Sequence, residues 1–451
     1  MATLIGATLV VCLDGAQGGG SKSLADIARG SLHGHQPDKR GGLRTHNRWW
    51  DKACQVVVAP PTALTVPVCG NEQRAASGLV CPTSLIFEHA LSDGFVSFCV
   101  LSRLLKDGIS LPDSRVPAAD QRARPLRVTV VDWVPAPTPL LQEVQLSARD
   151  HAQQVLRRQR NQLSLYTGYG AAQVKRWRCS PDAWMQLAMQ VAGSRTEAVL
   201  ASIPDWSKSD VVSGLYQFWD ESPVECEEGL PMPWCNLAVD SLTLGSVGQY
   251  EPVQMRAFRR GRTGTARGAS VFSLRAIRAL HERMGMGRHV VAGTDSVEAW
   301  NAIASATAAH SAACRAAAAG AGFDRHLFGL SRIAAGDNSS GVRLPAAQAA
   351  LASAVLRKAS TWRVSTSNIS GGFLSAWGWG QVTPSGVGVA YSTANQFGQD
   401  SFTVHVAGLC EDAAGWVQPR VRVYMTELHR ALTQMGLVAK SAAVAGAEAK
   451  L

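Results

Sequence analysis

The chain has 451 residues, 46% of them hydrophobic, and a formal net charge of +10. That length and apolar content suffice for a sizeable core and fit two or more domains at roughly 150 residues each, and no period of repeat length points to a solenoid. The basic residues are dispersed, the densest short run being Arg259, Arg260 and Arg262 with no nucleic-acid-binding signature around it, so the charge argues against nucleic acid and suits a phosphate-rich cofactor.

The opening run Leu4 to Cys12 is apolar but shorter than the ~20 residues that span a bilayer, and it lacks the basic flank of a signal peptide. It reads as a buried strand, and no other stretch is long and apolar enough for a membrane helix. Thr3 to Cys12 and Val56 to Ala59 are β-rich, with a glycine loop at Gly18, Gly19 and Gly20 between them; Leu85 to His89 is a third such run. Gly94 to Leu105 has helical periodicity, and Pro135, Pro137 and Pro139 mark a domain boundary. Ser147 to Gln162 is expected to be helical, as is Ala183 to Ala192, opened by Ser180-Pro181-Asp182 with Ser as cap and Pro in the first turn. Gly388 to Ser392 and Phe402 to Ala407 are expected strands, and Val421 to Met435 an amphipathic helix. The fold class is therefore α/β. Three stretches show no usable period and are expected as loops or insertions: Pro60 to Leu79, Ile203 to Gln249, and Ala306 to Ala321.

The ten cysteines form no CxxC pair and have no His partners at zinc-finger spacing. Neither a disulfide framework nor a structural metal is signalled, and the thiols are expected to be reduced and buried, in an intracellular compartment.

The chemistry concentrates at Glu88-His89-Ala90-Leu91-Ser92-Asp93-Gly94. A His that titrates near neutrality can take the proton of an alcohol attacking a thioester, while a carboxylate four residues on can orient it or lock its loop. A His at a strand end is more often structural, and the His-x-x-x-Asp-Gly pattern occurs in several carrier-dependent acyltransferase families.

An ordered set of motifs surrounds it. Upstream stand Val10-Val11-Cys12-Leu13-Asp14, Gly18-Gly19-Gly20-Ser21 and Asn47-Arg48-Trp49-Trp50-Asp51-Lys52; downstream follow Tyr169-Gly170, Lys175, Ser180-Pro181-Asp182-Ala183, Tyr250-Glu251, Arg256, Phe258, Gly261-Arg262-Thr263, Asp324-Arg325-His326-Leu327 and Ser365-Thr366-Ser367. In this order they resemble the carnitine/choline O-acyltransferase family, with carnitine O-acetyltransferases the nearest branch. The resemblance implies a two-domain, CoA-dependent, chloramphenicol acetyltransferase-like fold with mixed sheets and a tunnel between the domains. It divides the chain into 1–137, carrying the catalytic His, and 138–451, carrying the substrate motifs, with 203–249 as an insertion.

The same resemblance implies the site. His89 is the general base, Asp93 its associated carboxylate and Ser367 the oxyanion donor. Tyr250, Thr263 and Arg325 bind carnitine, and in the choline branch the Thr and Arg positions are replaced. Lys175 and Asp182 serve CoA; Ala171 stands where the family has a second phosphate-facing lysine, with Arg176 and Arg178 nearby. Pro252 replaces a serine and Gly264 an acidic residue. Trp377 aligns with a position that limits acyl length, favouring acetyl and propionyl. The implied partners are carnitine and acyl-CoA as co-substrate, with no permanently bound cofactor, no metal, no nucleic acid, and a monomeric state.

Family members are longer, and the chain begins, by this alignment, inside the first domain. The readings are an N-terminally truncated product or one completed by another polypeptide, and, in competition with the enzyme, a catalytically incomplete remnant or interaction module. Another His-x-x-x-Asp-Gly acyltransferase acting on a different alcohol is a further alternative. The ending Ala449-Lys450-Leu451 resembles a peroxisomal address, with a mitochondrial location as the alternative.

Overall fold

The structure is a computed structural model that describes residues 9–13, 22–23, 27, 54–58, 62–67, 73–80, 82–89, 93–106, 138–202, 244–284, 294–337, 341–394, 399–409 and 420–448. The expected features at Thr3 to Thr8, Gly18 to Ser21, Asn47 to Lys52, Ala90 to Ser92, Pro135, Pro137, 203–243 and Ala449 to Leu451 lie outside the described residues.

Two small sheets come from the first part of the chain. Strand β1 (Leu9–Leu13) runs parallel to β3 (Cys54–Val58), which pairs antiparallel with β6 (Thr83–Phe87). Cys12 and Val57 are buried between them, with Ile86 packed against both. The second sheet has β2 (Lys22–Ser23) beside the antiparallel pair β4 (Thr62–Pro67) and β5 (Gln73–Val80). This corrects the expectation of a loop from Pro60 to Leu79. The prolines around Thr62–Pro67 conceal a segment with Thr62, Thr65 and Val66, and the pairing carries an irregularity between Ala63 and Thr65. Helix α1 (Gly94–Lys106) follows β6 directly.

The main body is a six-stranded mixed sheet in the order β7-β12-β11-β10-β8-β9. Its strands are β7 (Gln159–Tyr166), β8 (Gln249–Gln254), β9 (Thr263–Arg267), β10 (Val364–Asn368), β11 (Val387–Ser392) and β12 (Phe402–Leu409). Strand β10 runs parallel to both β8 and β11; the other pairings are antiparallel. Every residue of β11, and all of β12 but its last, is buried, as apolar central strands covered on both faces should be. Helix α2 (Pro139–Arg158) precedes β7, so the helix expected to reach Gln162 ends earlier. The polar run Gln159 to Gln162 pairs with β12, and that ladder overrides its helical pattern.

A short helix α3 (Ala171–Arg176) leads to α4 (Pro181–Ser202), in which every residue from Ala183 to Thr196 is buried. Ser180 Oγ accepts the Ala183 amide at 3.4 Å, as its capping position requires. After α5 (Val271–Met284) comes α6 (Thr294–Ala316), which buries Ala299, Ile303 and Ala306. The Ala306 to Ala321 stretch is thus helix and not loop, ending in a π-turn at Ala317–Ala321 where Gly320 takes φ 88°. Helices α7 (Asp324–Ala334), α8 (Pro345–Leu351) and α9 (Ala354–Ser360) lead to β10, and α10 (Arg420–Glu448) closes the chain against α4. Leu244 and Val247, at the end of the expected insertion, belong to this core. Among the described residues, no helix is long and apolar enough to cross a membrane.

His429 of α10 is fully buried, with Nε2 2.9 Å from Ser164 Oγ of β7 and its ring edge-on to Tyr166. Burial drives its pKa down to about 4, against about 6.5 in an unfolded chain. The unfolded state takes up the proton first as pH falls, so stability holds above about pH 6.5 and declines toward about pH 4, by on the order of 2–3 kcal/mol from this group. Urea midpoints at about pH 7 and about pH 4.5 should show that decline, and His429→Gln should flatten it.

Candidate active site

Strand alternation sorts the site onto the two faces of the main sheet. Thr366 points to the helical layer: its hydroxyl accepts from Gln186 Nε2 at 2.8 Å and donates to the Tyr250 carbonyl at 2.9 Å. Ser365 and Ser367 therefore lie on the opposite face. Ser365 pairs in register with Tyr250, Tyr250 with Arg267, and Gln254 with Thr263. Tyr250, Thr263, Arg267, Ser365 and Ser367 consequently share one face. Ser367 is half-buried, and its hydroxyl makes no hydrogen bond among the described residues.

Arg325, in the first turn of α7, reaches this face and donates from Nη2 to Thr263 Oγ1 at 3.3 Å. Burial raises the Tyr250 phenol, and the Arg325 charge opposes that rise. The structure thus brings Tyr250, Thr263 and Arg325 together. Arg325 is exposed, with no carboxylate partner among the described residues. The neighbouring cation Arg267 is already committed, donating from Nε to Asp324 Oδ1 at 3.0 Å and lying 4.8 Å over the Trp362 ring. Trp362 in turn meets Tyr250 edge-on at 5.1 Å.

His89 is exposed, two residues past the end of β6. Asp93 opens α1, its carbonyl accepting the Val96 amide at 2.9 Å. Its carboxylate grips Arg262 with both oxygens, at 3.1 Å to Nε and 2.8 Å to Nη2. The pair ties the start of α1 to the β8–β9 loop. Two further contacts seat α1: the Arg256 guanidinium lies 3.8 Å over the Phe95 ring, and Phe98 stacks on Phe373 at 5.1 Å. Helix α1 is thereby seated between the β8–β9 loop and the loop after β10.

Lys175 and Asp182 part company. Lys175 is exposed in the last turn of α3, whose amino end is held by Asp400 through the amides of Gly170, Ala172 and Gln173 at 2.9–3.1 Å. Asp182 turns inward, and its Oδ1 accepts from Tyr391 and from Asn368, each at 2.7 Å. Trp377 is half-buried and donates from Nε1 to the Tyr391 carbonyl at 3.1 Å.

Sequence reasoning missed the partner of Asp93, although Arg262 lies in a quoted motif, and it missed a buried cluster on the helical face. Glu251 Oε2 lies 2.8 Å from His310 Nε2, and Cys314 Sγ lies 3.3 Å from that nitrogen and 3.6 Å from that oxygen. Burial pushes Glu251 up to about 7, the His310 hydrogen bond opposes this, and Asp182 adds to it. Burial and the Glu251 carboxylate push the Cys314 thiol far up. His310 and Cys314 are four apart, which places both on one face of α6 and is a signal that spacing could have given.

The family model for Choline/Carnitine o-acyltransferase matches residues 81–202 and 235–412. The chain belongs to this family. It is similar to the choline O-acetyltransferase of Sus scrofa, at 28% identity over 45% of this chain and 27% of that protein. It is also similar to the mitochondrial carnitine O-acetyltransferase of Saccharomyces cerevisiae, at 30% identity over 36% of this chain and 22% of that protein. The mitochondrial carnitine O-palmitoyltransferase 2 of Mus musculus is 24% identical over 86% of this chain and 45% of its own length. The chain spans less than half the length of each of these relatives.

Because the Asp93–Arg262 pair lies near solvent, it contributes little to overall stability, yet it anchors the start of α1 to the β8–β9 loop. Arg262→Ala should leave the urea midpoint near that of the parent while speeding amide hydrogen exchange in the first turn of α1, which loses its tie to the β8–β9 loop. Arg262→Lys should restore only part of the protection, since an ammonium cannot reproduce the two-pronged grip.

Proposed function

We propose that the chain transfers a short acyl group, such as acetyl, reversibly between CoA and carnitine. The observation that carries this reading is the convergence of Tyr250, Thr263 and Arg325 beside Ser367, with the Arg325 cation free of any carboxylate among the described residues. Carnitine supplies a carboxylate, which a guanidinium binds through charge-assisted hydrogen bonds with added support from hydroxyl donors. Choline has no such group, which favours carnitine over choline among the substrates named for the relatives.

In this reading His89 takes the hydroxyl proton of carnitine as the oxygen attacks the thioester carbonyl. The Ser367 hydroxyl donates to the resulting oxyanion, and collapse expels the CoA thiolate, which recovers the proton from His89. No acyl-enzyme is required. Lys175 serves the CoA phosphates as an exposed point charge, and Asp182 acts through the Tyr391 and Asn368 contacts that set the end of β10. The division into 1–137 and 138–451 belongs to the same proposal.

His89→Ala should reduce carnitine-dependent release of CoA thiol from acetyl-CoA by on the order of 10²–10⁴-fold, with the circular dichroism spectrum unchanged. Activity within about tenfold of the parent would sink the general-base assignment. Arg325→Asn combined with Thr263→Val should raise KM for carnitine and narrow the preference over choline, because the bound carboxylate loses its cation. Unchanged carnitine kinetics would place the zwitterion elsewhere. Trp377→Gly should gain octanoyl- and palmitoyl-CoA relative to acetyl-CoA, since an indole fills volume that a longer chain needs; a parent that already uses octanoyl-CoA as well as acetyl-CoA would refute the length limit.

A further inference from the structure

The cluster behind the Tyr250 face brings a thiol, an imidazole and a carboxylate to one point. In a nucleophile–His–carboxylate triad the two partners occupy opposite ring nitrogens, so that one can receive what the other orients. Here both Cys314 Sγ and Glu251 Oε2 approach the same nitrogen, His310 Nε2, while the buried Nδ1 has no partner among the described residues. Three donor atoms of three kinds face one another across a common point, all within 4.8 Å.

Tetrahedral zinc with ordinary S, N and O bond lengths separates such ligand atoms by roughly 3.4–3.6 Å. The sulfur already stands 3.3 Å from the nitrogen and 3.6 Å from the oxygen; only the 2.8 Å nitrogen–oxygen pair has to open. One thiolate, one carboxylate and one neutral imidazole would exactly offset a divalent charge, which matters because Glu251 and His310 are 8% and 9% exposed. The mixed sulfur, nitrogen and oxygen set suits a borderline-soft ion and disfavours calcium or magnesium. Asp182, held by Tyr391 and Asn368, is close enough to act on Glu251.

We propose that Glu251, His310 and Cys314 form a structural Zn²⁺ site that ties α6 to β8. The site lies on the helical face of the sheet, and Tyr250, one residue before Glu251, points to the other. Zinc there would take no part in acyl transfer. It would fix the strand that carries Tyr250 and the end of the helix that leads into Arg325.

The test uses the full chain, treated with chelator, reloaded with Zn²⁺ alone and freed of excess metal by gel filtration. Elemental analysis should find stoichiometric zinc in the parent and in Cys99→Ala, which removes an exposed thiol elsewhere. Cys314→Ala and His310→Ala should lose it. Zinc should raise the Tm of the parent and leave that of Cys314→Ala unmoved, and Co²⁺ loading should give thiolate-to-cobalt charge-transfer absorption in the parent only. No retained zinc in the parent, or full retention in a folded Cys314→Ala, overturns the site. These readouts report metal and not acyl transfer, so they succeed or fail independently of the substrate assignment.

Discussion

The side-chain amide of Gln186 fixes which way the Ser365-Thr366-Ser367 strand faces. Buried in α4, it donates to the Thr366 hydroxyl and to the Tyr391 phenol, and its carbonyl oxygen accepts from Gln249 at 2.6 Å. A slip of one residue in β10 would turn Thr366 to the opposite face and break its hydrogen bonds with Gln186 and with the Tyr250 carbonyl, leaving buried polar atoms short of a partner. Each unsatisfied group costs about 1–3 kcal/mol, while the slip would also send both serines into the helical layer. The register that satisfies the interior is the same register that presents Ser367. Stability and presentation of the site are therefore one constraint.

The join to the first part of the chain has a different character. Asp93 and Arg262 meet near the surface, Arg262 with 57% of its side chain exposed, and the aromatic contacts of α1 are with loops and not with the sheet. Such contacts position an element without cementing it. Helix α1 is thus held less firmly than strand β10, whose Thr366 is tied into the buried interior.

What the sequence made legible followed contrast. The strands at Gly388 to Ser392 and Phe402 to Ala407, and the helices at Gly94 to Leu105 and Ala183 to Ala192, alternate or periodically group large apolar side chains, and the structure forms each with extended ends. Helix α6 escaped because alanine on nearly every face leaves no period to read, although Ile303 and Ala306 are buried like any core residues. Strand β7 escaped because its pairing with β12 is a long-range fact that Gln159 to Gln162 do not announce. At the site, the ordered motifs carried Tyr250, Thr263 and Arg325 to one place. The inward turn of Asp182 and the meeting of Glu251 with His310, 59 residues apart, depend on packing that no local pattern encodes.

The two faces of β8 are nevertheless joined through the chain. Cys314 and Arg325 lie on either side of the π-turn at Ala317–Ala321, where Gly320 adopts a left-handed φ of 88° and leaves a side chain no room beside the Phe258 ring. A residue with a Cβ there would be strained by the left-handed φ and would press on the tip of that ring. Arg325 therefore stands where it does because α6 is anchored to Glu251 and because the turn has a single geometry. Tyr250 stands where it does because it shares a strand with Glu251. The polar cluster behind the sheet thus bears on the positions of both Tyr250 and Arg325 from the opposite face.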